Sequence, residues 1–431
     1  MRKPYLISIA MLALLAGFVF LQGCQSVGEI FKQVHSEKTR AAEPSPPTVD
    51  AQQPPLSALA PGEGIDTAAK VAQDEIDKYT AQVSELLKQE KFDRLDQLAS
   101  EARQSKARLP GGGWRLHSLY RYGLRMRKGS EATDDEWREH LAKLKRWVLL
   151  KPDSITARVA LADSYVNYGW KARGHDYAGK VTDQGWKLFS ERAALAQETL
   201  DQASNLKEKC PEWFVVMQDV ALVQGWEKPD EAALFEKATA FEPDYYYYYN
   251  KHANYLLEKW YGAEGEAGRF VEQASSRFPG KSGDMLYFLL AADLNCNCAD
   301  DRDHLSRMSW PRIQRGYVAL KEQYGTTTLR LNQLARIAIT FGDAKVAQRM
   351  FANMGENWDK DIWGTREYFE SARQWSERSS NLQTPEGRRY KEQTTSDFDA
   401  RLPSPANGCL VASDAITNIG IFLQLDKSGT A

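Results

Sequence analysis

Apolar residues recur at intervals of three and four along most of the chain between Asp66 and Trp375, and almost no stretch there alternates with period two. The pattern predicts helices over Asp66–Gln89, Phe92–Ser105, Trp114–Met126 and a segment running from Asp135 to a stop at Pro152. Further helices follow over Ile155–Trp170, Gln184–Lys209, Glu212–Gly225, Asp230–Phe241, Tyr245–Trp260 and Glu264–Arg277. Asp284–Leu294, Pro311–Tyr324, Thr328–Thr340 and Ala344–Met354 complete the series. Leu109-Pro110-Gly111-Gly112-Gly113 is a strong interruption, because consecutive glycines behind a proline favour a turn. Beyond Trp375 the chain turns polar and broken, and only GIFLQL near its end reads as a strand candidate.

The helices fall in pairs. Phe235, Ala238 and Pro243 stand eight and five residues before, and at, a closing proline, and Leu144, Trp147 and Pro152 repeat those offsets. One such pair cannot bury its own apolar side, so stacking on neighbours must supply the core. The expected fold is all-α, an irregular tetratricopeptide-like helical-repeat array (an α-α superhelix) over 66–376, with an irregular segment 377–431 docked on it.

The N-terminus adds a location. Arg2 and Lys3 precede an uncharged apolar stretch from Tyr5 to Leu21, and Leu21-Gln22-Gly23-Cys24 has the form of a bacterial lipobox. Residues 1–23 are therefore expected to be a lipoprotein signal peptide, with Cys24 as the acylated residue. Gln25 and Ser26 supply no aspartate of the inner-membrane retention type, which favours the periplasmic side of the outer membrane. Residues 24–65, rich in Pro, Ser, Gln and Ala, cannot bury enough surface to order themselves and read as a tether. Losing Arg2 and Lys3 leaves 54 basic against 58 acidic side chains, a balance that offers nucleic acid no electrostatic footprint.

Two dense segments are candidates for binding. In EPDYYYYYN, Pro243 closes one helix and Asp244 is expected to cap the next. Tyr249, Ala253, Leu256 and Trp260 then form an inward line, and Tyr247 shares the opposite face with Lys251, Asn254 and Glu258. Tyr247 is thus expected to meet solvent or a partner, with Tyr248, His252 and Tyr255 flanking the core face. The second segment is YGWKARGHDY, where Gly169 and Gly174 bracket Trp170 and Arg173. Two readings stand for it. It is either an interhelix turn with Trp170 packed and Arg173 on helix-end carbonyls, or the floor of a polar pocket. The pocket would be built from Arg173, His175, Asp176 and Tyr177 and lined by Trp186, Phe189 and Arg192.

Together these segments resemble a bacterial family of unassigned activity. Its members combine a Trp-x-x-Arg-Gly segment, a Gly-Trp-x-x-Phe-x-x-Arg helix, and a Pro-x-Tyr-Tyr block leading into Lys-Trp-Tyr-Gly. The matching positions here are Trp170, Arg173 and Gly174; Gly185, Trp186, Phe189 and Arg192; and Pro243, Tyr245, Tyr246, Lys259, Trp260, Tyr261 and Gly262. The resemblance spans roughly Phe92 to Phe278 and implies a fold without implying a chemistry.

Catalytic and metal signatures are sparse. The chain carries no GxSxG elbow, phosphate loop or HExxH, and no single glutamate is marked out for glycoside chemistry. In CNCADDRDH a lone Cys-x-Cys does not define a metal site, and in an oxidising compartment Cys296, Cys298 and Cys409 are disulfide candidates. His117, His140, His175 and His252 read as packing or surface histidines. No cofactor is expected. The chain reads as a membrane-tethered scaffold that binds an envelope protein or peptide. The alternatives are a binding module for an anionic or saccharide ligand and, behind it, a cell-wall-acting enzyme.

Overall fold

The computed structural model describes residues 64–174, 178–295, 305 and 307–382. The lipobox, the tether up to residue 63, the C-terminal segment from residue 383, His175, Asp176, Tyr177, Cys296, Cys298 and Cys409 lie outside them; residues 377–382, expected to be irregular, instead complete the last helix. The described chain is all-α; its one β feature is an isolated antiparallel bridge between Arg108 and Trp114.

The first helices are α1 (Thr67–Lys88), α2 (Phe92–Ser105), α3 (Arg115–Ser118), α4 (Asp134–Leu150) and α5 (Ile155–Arg173). They are followed by α6 (Asp183–Ser204), α7 (Pro211–Gln224), α8 (Lys228–Phe241), α9 (Tyr247–Tyr255) and α10 (Glu266–Ser276). The last are α11 (Lys281–Leu294), α12 (Trp310–Tyr324), α13 (Thr328–Thr340), α14 (Ala344–Met354), α15 (Lys360–Trp363) and α16 (Arg366–Leu382). Most starts are set locally. Asp66, Ser154, Thr182, Ser309, Thr327 and Asp343 accept backbone N–H groups at helix N-termini, and Thr133 forms a reciprocal capping box with Glu136.

The helices stack in two layers. The odd-numbered helices α5, α7, α9, α11 and α13 each contact the next, forming an inner row. Each also packs on its even-numbered sequence neighbour, α5 on α6 and α11 on α12 most extensively. Inner helices are enclosed on every side: α5, α7, α11 and α13 bury residues all round, which the amphipathic α10, α12 and α14 do not. The inner row therefore carries apolar residues toward the outer layer and polar ones toward the interior. Asp163, Asn167, Gln218, Asp219, Asn250, Lys251, Gln333 and Arg336 are all buried.

The two ends of this stack meet. Helix α1 contacts α13, the Asp66 N–H donates to the Asn353 carbonyl at 2.8 Å, and Lys321 pairs with Asp66 at 3.2 Å. Between α2 and α3, a 3-10 turn at Pro110–Gly112 wedges against α12 and α13. Arg330 donates through Nε to the Gly111 carbonyl at 3.0 Å. Gly111 and Gly112 have φ of +72° and +78°, and a Cβ on Gly112 would lie 2.6 Å from Leu320 Cδ1.

The structure corrects three local expectations. The helix expected over Trp114–Met126 is a single α-turn followed by a π-helix, Leu119–Leu124. The tyrosine helix begins at Tyr247 and ends at Tyr255, so Trp260 lies beyond it. Asp244 does not cap it: the cap position is Tyr246, and the Asp244 carbonyl instead accepts from Arg108 and from the Trp114 indole at 3.0 and 3.2 Å. Tyr245 and Tyr246 are spent in a tight turn that brings this loop onto the glycine turn. The register of α9 follows from that tertiary contact.

Gly342 also has a positive φ, +69°, but nothing lies within 4 Å of its would-be Cβ. Alanine at Gly342 is therefore expected to cost about 1 kcal/mol of backbone strain. Gly112→Ala adds overpacking against Leu320 of at least about 1 kcal/mol more. Urea unfolding of the two variants measures the difference; equal losses would show that the turn is not lodged.

Candidate binding cavity

A cavity of about 380 Å³ lies where the two ends of the array meet, and of the interior polar groups named above Gln333 lines it. One wall is the glycine turn with α3 and the π-helix, contributing His117, Ser118, Arg121 and, just after it, Arg125 and Arg127. The facing walls are Tyr246 and Tyr247, Asp293 of α11, Arg330 and Gln333 of α13, and Asp359 and Asp361 beside α15. Asp77 of α1 completes the ring of charge, so four arginines face four aspartates and the lining is formally neutral.

The π-helix is what turns Arg121 inward. A π-turn widens the helix by one residue, and such bulges recur at functional sites. Here it leaves Arg121 buried, and its last residue is followed by Arg125, whose Nε and Nη2 each lie 2.6 Å from the Asp163 carboxylate. A fork-to-fork pair of this kind fixes the guanidinium plane.

The tyrosine run forms an aromatic wall. Tyr246 and Tyr247 have ring centroids 4.0 Å apart, and the His117 imidazole stacks on Tyr247 at 3.4 Å and 16°. The Tyr247 hydroxyl accepts the Trp114 backbone N–H at 3.2 Å, and the Tyr246 hydroxyl accepts from Arg330 Nη2 at 3.3 Å. Behind this wall Tyr245 donates to Glu212 at 2.5 Å. Burial pushes the Tyr245 and Tyr247 hydroxyls well above their ordinary range; the Glu212 carboxylate adds to the first and Tyr246 to the second. Both phenols stay protonated.

Tyr247, expected at solvent, is therefore corrected to a buried cavity wall. The polar face it shares with Lys251 turns to the inside of the array. Tyr248 is fully buried with an edge on Phe214, and its hydroxyl has no hydrogen-bond partner among the described residues. Tyr255 donates to the Trp226 carbonyl at 2.6 Å, and His252 sits 2.6 Å from Glu231 with its ring stacked on Phe235. These three serve the core and do not line the cavity.

Trp170 and Arg173 are not part of the cavity lining. Trp170 is buried with its edge toward Phe189 and Trp260, and Arg173 donates to the Gly174 carbonyl at 3.2 Å and lies over the Trp186 ring at 5.3 Å. Arg192 donates to the Tyr168 carbonyl and covers the Tyr168 ring. The geometry of Trp170 and Arg173 is that of the helix-end turn. Trp186 stays partly exposed.

What sequence reading missed is the set His117, Arg121, Arg125, Tyr246, Arg330, Asp359 and Asp361. The available signal was the density of arginine in RLHSLYRYGLRMR directly behind the glycine turn. Among the described residues, no group of three or more His, Cys, Asp or Glu is placed to hold a metal, and no helix is long and apolar enough to cross a membrane. Cys210 is a buried free thiol that burial pushes up and renders unreactive. Comparison of the chain with protein-family models, with curated proteins and with solved structures finds no match.

Beside the Arg125–Asp163 pair lies a second buried pair, Lys251–Asp219 at 2.7 Å. Burial raises the Asp219 carboxyl from 3.8 to about 6, against the pull of Lys251. The folded chain thus keeps a proton that the unfolded chain releases, and this group's contribution to stability falls as pH rises from about 4 through about 6. Lys251→Met removes the compensating charge and is expected to cost about 3 kcal/mol at pH 8. The loss should be clearly smaller at pH 5, where Asp219 takes up its proton. Denaturant melts at the two pH values test this; a pH-independent loss would contradict it.

Proposed function

We propose that the protein is a binding module that seats a small polyhydroxylated ligand of the saccharide class in the cavity between the two ends of its helical array. The observation that carries this reading is the lining itself: formally neutral, dense in paired donors and acceptors, and walled by tyrosine rings. Guanidinium and carboxylate groups side by side suit vicinal hydroxyls, which both donate and accept, better than they suit a simple anion. Planar rings supply apolar area for a sugar face. A volume of about 380 Å³ falls in the range of small-ligand sites and is too small for a folded partner. The lipobox reading adds the setting: an acylated Cys24 and a tether would hold this module on the periplasmic side of the outer membrane. The resemblance to the Trp-x-x-Arg-Gly family and the tetratricopeptide-like offsets are part of the same proposal. Catalysis is not part of it.

Titration calorimetry with maltose, cellobiose and N,N′-diacetylchitobiose, against glucuronate and inorganic phosphate as anionic controls, tests the reading. At least one neutral disaccharide is expected to bind with Kd below about 1 mM, equivalent to some 4 kcal/mol. Binding of phosphate or glucuronate alone would replace a saccharide with an anion, and binding of none of the five would remove the proposal.

A second observation favours the scaffold reading. A groove of about 1120 Å³ between α6, α7 and α8 is lined by Trp213, Phe214, Trp226, Leu234 and Phe241, with Phe241 44% exposed. The Trp213 and Trp226 indole N–H groups donate to the Leu200 carbonyl and to Gln224, so their rings offer the groove hydrocarbon alone. An amphipathic helix of an envelope protein is the partner that such a groove fits. A photoreactive phenylalanine analogue at Phe241 is expected to give one reproducible adduct in intact envelopes, lost when Trp226→Ser is added. Diffuse labelling unaffected by that change would argue against docking.

A further inference from the structure

We infer that His117 is the specificity-determining contact of the cavity, accepting a ligand hydroxyl at Nε2; this rests on the saccharide reading and names one atom within it. His117 sits at the junction of the glycine turn and the π-helix and forms part of the cavity wall. Its Nδ1 lies 3.0 and 3.1 Å from the two oxygens of the Glu212 carboxylate. Tyr245 donates to the same carboxylate at 2.5 Å. A carboxylate only accepts, so in the neutral imidazole the proton is held on Nδ1 and the lone pair on Nε2. No hydrogen bond among the described residues reaches Nε2. Stacking on Tyr247 at 3.4 Å fixes the ring plane, and the Trp114 backbone N–H holds the Tyr247 hydroxyl in turn.

A histidine whose tautomer and plane are both set by buried partners is costly to build for packing alone, since a phenyl ring would stack as well and leave no buried polar atom. Glu212 and Tyr245, at 2% and 0% exposure, have no access of their own to a ligand. Their service is to His117. Glu212 is accordingly a positioning residue, and the cavity gains a fixed acceptor among the guanidinium donors of Arg121 and Arg330.

Nitrogen NMR of the full ¹⁵N-labelled chain, titrated with maltose and N,N′-diacetylchitobiose, reads this out. In the free protein Nδ1 of His117 is expected to give the protonated-type signal and Nε2 the unprotonated type. A binding disaccharide should shift Nε2 upfield and leave Nδ1 nearly still. His117→Phe, which keeps the stack, should weaken binding about tenfold. Glu212→Gln, whose amide can either accept from or donate to Nδ1, should mix the two tautomers and weaken binding, although its own atoms never meet the sugar. A disaccharide that binds without moving the Nε2 signal, or with equal affinity to the wild type and His117→Phe, overturns the role of His117 and leaves the saccharide reading intact. If neither of these sugars nor cellobiose binds, both fall together.

Discussion

Arg330 is the joint on which this molecule closes. Its guanidinium holds the Gly111 carbonyl through Nε, Gln333 through Nη1 and the Tyr246 hydroxyl through Nη2, at 3.0, 2.7 and 3.3 Å. One side chain thereby ties the early glycine turn, its own inner helix and the tyrosine run into one wall. A buried cation is expensive to desolvate unless it is met by several well-placed acceptors. Tyr246 and the Asp293 carboxylate outweigh the burial that would lower its affinity for a proton, and the group stays charged. The glycines are required because the turn must pass within contact of Leu320 and of Arg330 itself.

Most helices were legible because their signals are local. The residue pattern of α2 and the capping side chains of Thr327 and Asp343 at α13 and α14 mark their limits without reference to anything distant. The cavity was not legible, for two physical reasons. Its closing contact joins residues 219 positions apart, and nothing in a helix-by-helix reading pairs Gly111 with Arg330. The second reason is the two-layer arrangement. A helix with one apolar and one polar face reads as a surface helix, yet on the inner row the polar face looks into the interior. On that logic Tyr247, sharing a face with Lys251, is expected to meet solvent or a partner, and both residues are buried.

The same arrangement explains why the interior is so rich in ionisable side chains. Each inner helix brings polar groups that water would otherwise satisfy, and the array answers them with one another: Arg125 with Asp163, Lys251 with Asp219, His252 with Glu231, and His117 and Tyr245 with Glu212. Such pairs add little net stability over apolar packing, but breaking one leaves an uncompensated buried charge. Of these pairs, Lys251–Asp219 joins two helices of the inner row, α9 and α7, and the others tie that row to α8, to α3 and to the loop behind the π-helix. The tyrosine run belongs to this logic: consecutive rings serve the core, the wall and the turn on successive positions.

Ordinary stacked-helix proteins grow or shrink by duplication, since each unit leans only on its neighbours and an added pair lengthens the stack without disturbing the rest. Here the Pro110–Gly113 turn is clamped to the far end, so the circumference is fixed. An inserted or deleted helix pair anywhere between α4 and α12 would part Gly111 from Arg330. The number of units is thus set by the closing contact, like the stones of an arch, and a change of length is tolerable only outside the span that contact joins.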